Sequence, residues 1–239
     1  MDTLCSVCGL SYLGLVKKSM TDQEILSKID HTLLKAVSSR EEIKTLCDEA
    51  ALFKTASVCI PPCYVKTVRE TFAALNICTV IGFPLGYSAA PVKILEAVQA
   101  IKDGANEIDM VINITDVKNG NYKNLFNEIK HIKKVCNDKI LKVIIETCYL
   151  TEDEKIKMCG IVTDVGADFI KTSTGFGTAG ASLADIELFK RHTGANVRIK
   201  AAGGVKTRED LVTFIEAGAD RIGTSSAVKV LSGSNVDEY

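Results

Sequence analysis

Two lysines in this sequence stand where apolar runs give way to glycine. Asp168, Phe169, Ile170, Lys171, Thr172, Ser173, Thr174 and Gly175 form a stretch that ends in an ammonium, hydroxyls and a glycine; residues 197–204 repeat the plan around Lys200, Gly203 and Gly204. Each reads as a short buried strand opening into a loop, with its lysine at the strand's C-terminal end. One such lysine alone is explained by an ammonium snorkelling into water. Two in one chain point to amine chemistry. An unperturbed lysine, with a pKa near ~10.4, is neutral in only about one molecule in a few thousand at pH 7. A neighbouring ammonium in a partly dry site lowers that pKa, so one lysine activates the other. The neutral amine then attacks a carbonyl, loses water and leaves an iminium that acts as an electron sink.

Asp109 is the anomaly in the apolar run 107–113. A carboxylate inside such a strand is costly unless it is paired with a cation or moves protons. Both readings stay open: a salt bridge to Lys200 or another cation, or the acid/base that serves the carbinolamine and the reacting carbon. Gly203 and Gly204, with Gly223, Thr224, Ser225 and Ser226 further on, supply small residues whose backbone N–H groups can hold an anion. Lying just beyond the lysines, they point to a substrate with a terminal phosphate.

The elements that would carry these groups alternate. Thr21 with Glu24 and Thr151 with Glu154 are capping boxes. Strand-like runs fall at 29–34, 56–60, 77–83, 107–113 and 140–145, then at the Lys171 and Lys200 stretches and at 220–223. Helical spacing lies between them, with Pro61 and Pro62 opening one helix. The strands read as apolar throughout, as a parallel sheet covered on its outer face requires. A Gly-Ala joint recurs at 104, 166, 194 and 218, and glycine there is expected to supply the left-handed turn that ends each helix. Eight strand and helix units favour a (β/α)8 TIM barrel, whose active site lies at the C-terminal face. No GxGxxG follows an early strand, which argues against a dinucleotide fold.

The 239 residues fit one such barrel, with 21–239 as the domain and 1–20 as an N-terminal extension. A net charge of −1 gives no case for a nucleic-acid surface. The uncharged stretch 4–16 is too short to span a bilayer, and Lys17 and Lys18 follow it, the reverse of a signal peptide's charge order. Nine cysteines then read as reduced thiols in a cytoplasmic protein, and Cys5 with Cys8 is a lone CxxC without further metal ligands.

Together these segments resemble the deoxyribose-phosphate aldolases, a class I aldolase family: IDHTLLK at 29–35, residues 58–60 before a proline, VIGFPLG at 80–86, EIDMVINI at 107–114, KVIIET at 142–147, DFIKTSTGFGTAG at 168–180, IKAAGGVKT at 199–207 and RIGTSS at 221–226. The resemblance implies a (β/α)8 barrel that cleaves 2-deoxy-D-ribose 5-phosphate reversibly to D-glyceraldehyde 3-phosphate and acetaldehyde, through a lysine imine and with no metal or other cofactor. Lys171 matches the Schiff-base lysine, Lys200 the second lysine and Asp109 the proton-transfer aspartate. Thr174, Gly175, Gly203, Gly204, Gly223, Ser225 and Ser226 are the expected substrate and phosphate contacts. Asp30 and Thr32 are further candidates for bonding Lys200 or the sugar. Cys59 lies near the mouth on the second strand and reads first as a packed thiol. Tyr239 matches a terminal tyrosine that relays protons in some members. Pro61, Ala36 and residues 88–90 depart from the family pattern without touching the three chemical positions. The expected partner is a small phosphorylated sugar, with no nucleic acid and no membrane; a homodimer is the candidate assembly. The rivals are a pyridoxal phosphate enzyme, another class I aldolase, or an inactive barrel that senses sugar phosphates.

Overall fold

The computed structural model describes residues 20–233. Apart from Met20, the N-terminal extension falls outside these residues, as do Cys5, Cys8 and Tyr239. Eight strands, β1 (Ile29–Thr32), β2 (Ser57–Ile60), β3 (Ile77–Ile81), β4 (Glu107–Val111), β5 (Ile140–Ile144), β6 (Phe169–Lys171), β7 (Arg198–Ala202) and β8 (Arg221–Thr224), pair in parallel and in chain order. β8 closes onto β1, with Asp30 opposite Gly223, so the sheet has no edge. Helices lie in every β-to-β connection, and the chain forms the expected (β/α)8 barrel.

The helix boundaries follow from local chemistry. Thr151 accepts from the Glu154 N–H and the Glu154 side chain accepts from Thr151 N–H, so helix Glu152–Val165 begins with its first donors satisfied. It ends at Gly166, whose φ of +72° an L-residue rarely adopts. Ser39 caps helix Arg40–Phe53 in the same reciprocal way. The repeated glycine joint holds at 104, 166 and 218, which have positive φ, but not at 194. Helix Leu183–His192 closes on an extended Thr193. Gly194 instead serves close packing: a Cβ there would come within 2.5 Å of Thr163 Cγ2. The proline pair opens a 3-10 turn, Pro62–Tyr64, ahead of helix Val65–Thr71. A short helix, Ile114–Lys118, also precedes helix Tyr122–Cys136.

The expectation of uniformly apolar strands needs correction. Ile29, Ile108, Met110, Leu141, Val143, Ile170 and Ile199 belong to the main hydrophobic core between the barrel and its helices. Their neighbours Asp30, Asp109, Lys142, Lys171 and Lys200 meet one another inside the barrel. The strands therefore do alternate. In place of the branched aliphatic side chains that usually fill such a barrel, this interior holds ion pairs, with a small apolar group of Cys59, Cys78 and Val80. Phe169 lies beneath them, with Arg198 4.0 Å and Arg221 5.6 Å from its ring centre.

Candidate active site

Asp109, in the middle of β4 and fully buried, is the hub. Its Oδ1 accepts from Lys142 Nζ at 2.8 Å, and its Oδ2 from Lys171 Nζ at 2.8 Å and Lys200 Nζ at 2.7 Å. Register explains why these residues meet. Lys171 is paired with Lys200 across β6 and β7, and Asp109 with Lys142 across β4 and β5.

A second carboxylate tightens the cluster from β1. Asp30 pairs with Lys200 and Arg221, lies 3.5 Å from Lys142 and accepts from Ser57 Oγ at 2.7 Å. Glu107, two residues before Asp109, pairs with Lys142 and, at 3.3 Å, with Arg221. Four cations thus face three carboxylates. Burial pushes the Asp109 carboxyl pKa up, but Lys142, Lys171 and Lys200 outweigh it and hold the group well below the usual range. Asp30 is likewise driven down by Lys200, Lys142 and Arg221 against the effect of burial. Burial lowers the Lys200 pKa, while Asp109 and Asp30 more than reverse that, so Lys200 stays charged. Lys142 is raised well above the usual lysine range, chiefly by Asp109 against burial.

The two lysines are therefore not a bare pair, because a carboxylate oxygen lies between them. Of the three lysines, Lys171 has the fewest partners: it meets Asp109 alone, Lys200 meets Asp30 and Asp109, and Lys142 meets all three carboxylates. Lys171 is thus the amine least tied into the cluster, and it stands beside an ammonium and a carboxylate, a set able to form an imine and move protons.

The other expected residues divide. Gly203 and Gly204 adopt φ of +81° and +77°, and the N–H groups of Gly175, Gly203, Gly204 and Ser225 find no partner among the described residues. Gly203 also packs on Gly180, where a Cβ would come within 2.3 Å of the Gly203 carbonyl oxygen. Ser225 is exposed, and Ser226 Oγ donates to Val205 O at 3.2 Å. Gly223 sits under Lys200: a Cβ there would stand 3.1 Å from Lys200 Cε. Thr174 gives both its N–H and its hydroxyl to the Glu146 carboxylate. Thr32 turns its hydroxyl back onto its own strand, to Asp30 O at 2.7 Å, and makes no bond to Lys200. Cys59 is fully buried beside Cys78, which holds its thiol pKa below the usual value.

The Cys59 and Cys78 sulfurs and one Asp109 carboxylate oxygen lie within 4.8 Å of one another, a spacing that could hold a soft metal ion. Both Asp109 oxygens already accept from ammonium groups, so the carboxylate has none to spare for a cation.

Lys142, Glu107, Arg221, Cys78 and Glu146 were not singled out in the sequence. Lys142 carried a signal, a lysine in the middle of the apolar run 140–145, and Glu107 another, one alternation before Asp109.

The model of the DeoC/LacD family aldolase matches residues 21–234. The deoxyribose-phosphate aldolase of Clostridium botulinum (strain Alaska E43 / Type E3) is 60% identical over 221 residues, covering 92% of this chain and 100% of the relative. The protein of the same name from Clostridioides difficile (strain 630) is 60% identical over 218 residues, covering 91% and 100%. Among solved structures, a tetrameric deoxyribose phosphate aldolase from Aeropyrum pernix superposes with a TM-score of 0.83 at 30% identity, covering 89% of this chain and 92% of that one.

Proposed function

The chain belongs to the DeoC/LacD aldolase family, and from that membership we infer that it is a class I aldolase cleaving 2-deoxy-D-ribose 5-phosphate reversibly to D-glyceraldehyde 3-phosphate and acetaldehyde. Relatives 60% identical over their whole length carry the name of that activity. The observation that carries the chemistry is the shared carboxylate oxygen between Lys171 and Lys200.

In this mechanism Lys171 Nζ attacks the aldehyde carbon of the open-chain sugar, and the carbinolamine loses water to give an iminium. A base removes the C3 hydroxyl proton and the C2–C3 bond breaks. Its electron pair moves through C2 to the iminium nitrogen, which releases glyceraldehyde 3-phosphate and leaves an enamine. Protonation at C2 and hydrolysis free acetaldehyde and restore the amine. Asp109, within 2.8 Å of both lysines, is the proton carrier. Lys200 remains the ammonium that opposes positive charge on Lys171 and favours collapse of the iminium to the enamine. No step calls on a metal or an organic cofactor.

The phosphate is assigned to the unpartnered N–H groups of Gly175, Gly203, Gly204 and Ser225. A homodimer is supported by Val92, Leu95 and Val98, which stand one turn apart on helix Ala90–Lys102 and are 47%, 67% and 46% exposed. Among the described residues no helix is long and apolar enough to cross a membrane. The free cysteines accord with the cytoplasmic location included in this proposal.

Borohydride reduction in the presence of deoxyribose 5-phosphate or acetaldehyde tests the reading. The adduct should map to Lys171, and a coupled assay should register glyceraldehyde 3-phosphate release. Adduct on another lysine, or no release, overturns it.

A further inference from the structure

Glu146, two residues past the end of β5, takes a conformation that a glutamate rarely adopts, with φ +51° and ψ +68°. The left-handed turn is strained for an L-residue, so something must hold it there. What holds it is the loop after Lys171. The buried Glu146 carboxylate accepts the Thr174 N–H at 3.2 and 3.3 Å and also the Thr174 hydroxyl. Thr174 Oγ1 in turn accepts from Phe176 N–H at 3.0 Å. Gly177 completes the fit, because a Cβ there would stand 2.8 Å from Cys148 Sγ and 3.1 Å from Glu146 Cδ.

This arrangement decides which donors of the loop stay available. Thr174 has none left for a ligand. Gly175, at φ +88°, keeps an unpartnered N–H, and a Cβ on it would meet nothing within 4 Å. We propose that Glu146 is a positioning residue for the phosphate end of the substrate: its bonds to Thr174 fix the loop so that the Gly175 N–H faces the anion alongside those of Gly203 and Gly204. Glu146 touches no reacting atom in this assignment. It acts through Thr174, and the inference rests on the proposed aldolase reading.

The test compares a substrate that carries the phosphate with one that lacks it. Glu146→Gln, which removes the charge and turns one of the two accepting oxygens into an NH2 donor facing Thr174, should raise KM for deoxyribose 5-phosphate about tenfold, the usual cost of a lost hydrogen bond to a charged group. It should leave kcat within about twofold and kcat/KM for unphosphorylated 2-deoxyribose unchanged. Glu146→Gly, which accepts the positive φ without strain, should show the same split. Equal losses on both sugars, or no change on either, would overturn the proposal. Wild-type cleavage of the phosphorylated sugar, measured in the same series, reports separately on the aldolase reading.

Discussion

Lys171 and Lys200 donate to one and the same oxygen, Asp109 Oδ2, at 2.8 and 2.7 Å. The relationship changes how the pair works. Two ammonium groups side by side would repel, whereas two sharing an oxygen are held close, and the carboxylate keeps one of them charged. The third lysine, Lys142, takes the other oxygen, so Asp109 cannot turn away from either partner. One buried residue thus positions all three lysines, and with Asp30 it keeps Lys200 charged.

Asp109→Asn keeps the shape but removes the charge and the proton carrier. Its kcat should fall by about 10² to 10⁴, the usual range for losing a general acid/base. Lys171 should still be trapped by borohydride at long reaction times, since the amine itself remains. Wild-type turnover in this variant would remove Asp109 from the reaction.

Stability should depend on pH in a stated way. Asp30 and Asp109 have folded pKa values below their unfolded ones. Their contribution is complete above the unfolded value near ~4 and is lost as pH falls through the folded values. Lys142 and Lys200 are shifted upward, so their contribution is present below about 10.4 and is lost as pH climbs beyond it. Between these limits the cluster contributes a plateau, from about pH 6 to 9. Thermal melts across that window should agree to within a few degrees once other groups are accounted for by the Asp109→Asn control. A melting temperature that falls steadily from pH 6 to 8.5 in wild type alone would contradict the pKa directions.

Arg221 closes the cluster from below, paired with Asp30 and Glu107, both fully buried. Arg221→Met would take one cation from each of two interior carboxylates, leaving Asp30 to Lys200 and Glu107 to Lys142, so the loss should stay at or under the about 3–5 kcal/mol that breaking a buried pair from one side costs. Urea unfolding should show that loss in the midpoint with little change in slope. A loss below about 1 kcal/mol would mean that water or Lys142 already satisfies both carboxylates.

The part of this site that the sequence made visible is the part that violates local expectation. Lys171, Lys200 and Asp109 each interrupt an apolar run, and an ionisable group in such a run must be explained. The eight-unit barrel was visible for a related reason, since capping boxes and glycine joints are local signals. Arg221 looked ordinary at a strand start, and its meeting with Glu107 depends on how far the strands are staggered around the barrel. The polar lining as a whole was missed because a run such as 140–145 contains one charge among aliphatics and reads as apolar on average. Gly194 misled because the same dipeptide that ends three helices is here used for a close approach to Thr163. Glu146 had no signal, since its role arises from a backbone turn.

Gly223 separates two roles that one residue could have. The sequence assigns it to the phosphate, while the structure sets it against Lys200, with a virtual Cβ 3.1 Å from Lys200 Cε and 3.3 Å from Ala202 Cβ. Its φ is not in the left-handed region, so alanine is tolerated by the backbone and acts only through its methyl group. That methyl must move the Lys200 stem by a few tenths of an ångström. The stem has little room, because its Nζ is tied to Asp30 and Asp109 at the far end. Displacements of about 1 Å in a catalytic group can cost 10²-fold, so a smaller one should lower kcat about tenfold, with KM for the phosphorylated sugar nearly unchanged. If Gly223 instead serves the phosphate, the methyl group crowds the anion and KM rises while kcat holds. Steady-state kinetics of Gly223→Ala on deoxyribose 5-phosphate therefore assigns the residue, because the two roles move different constants.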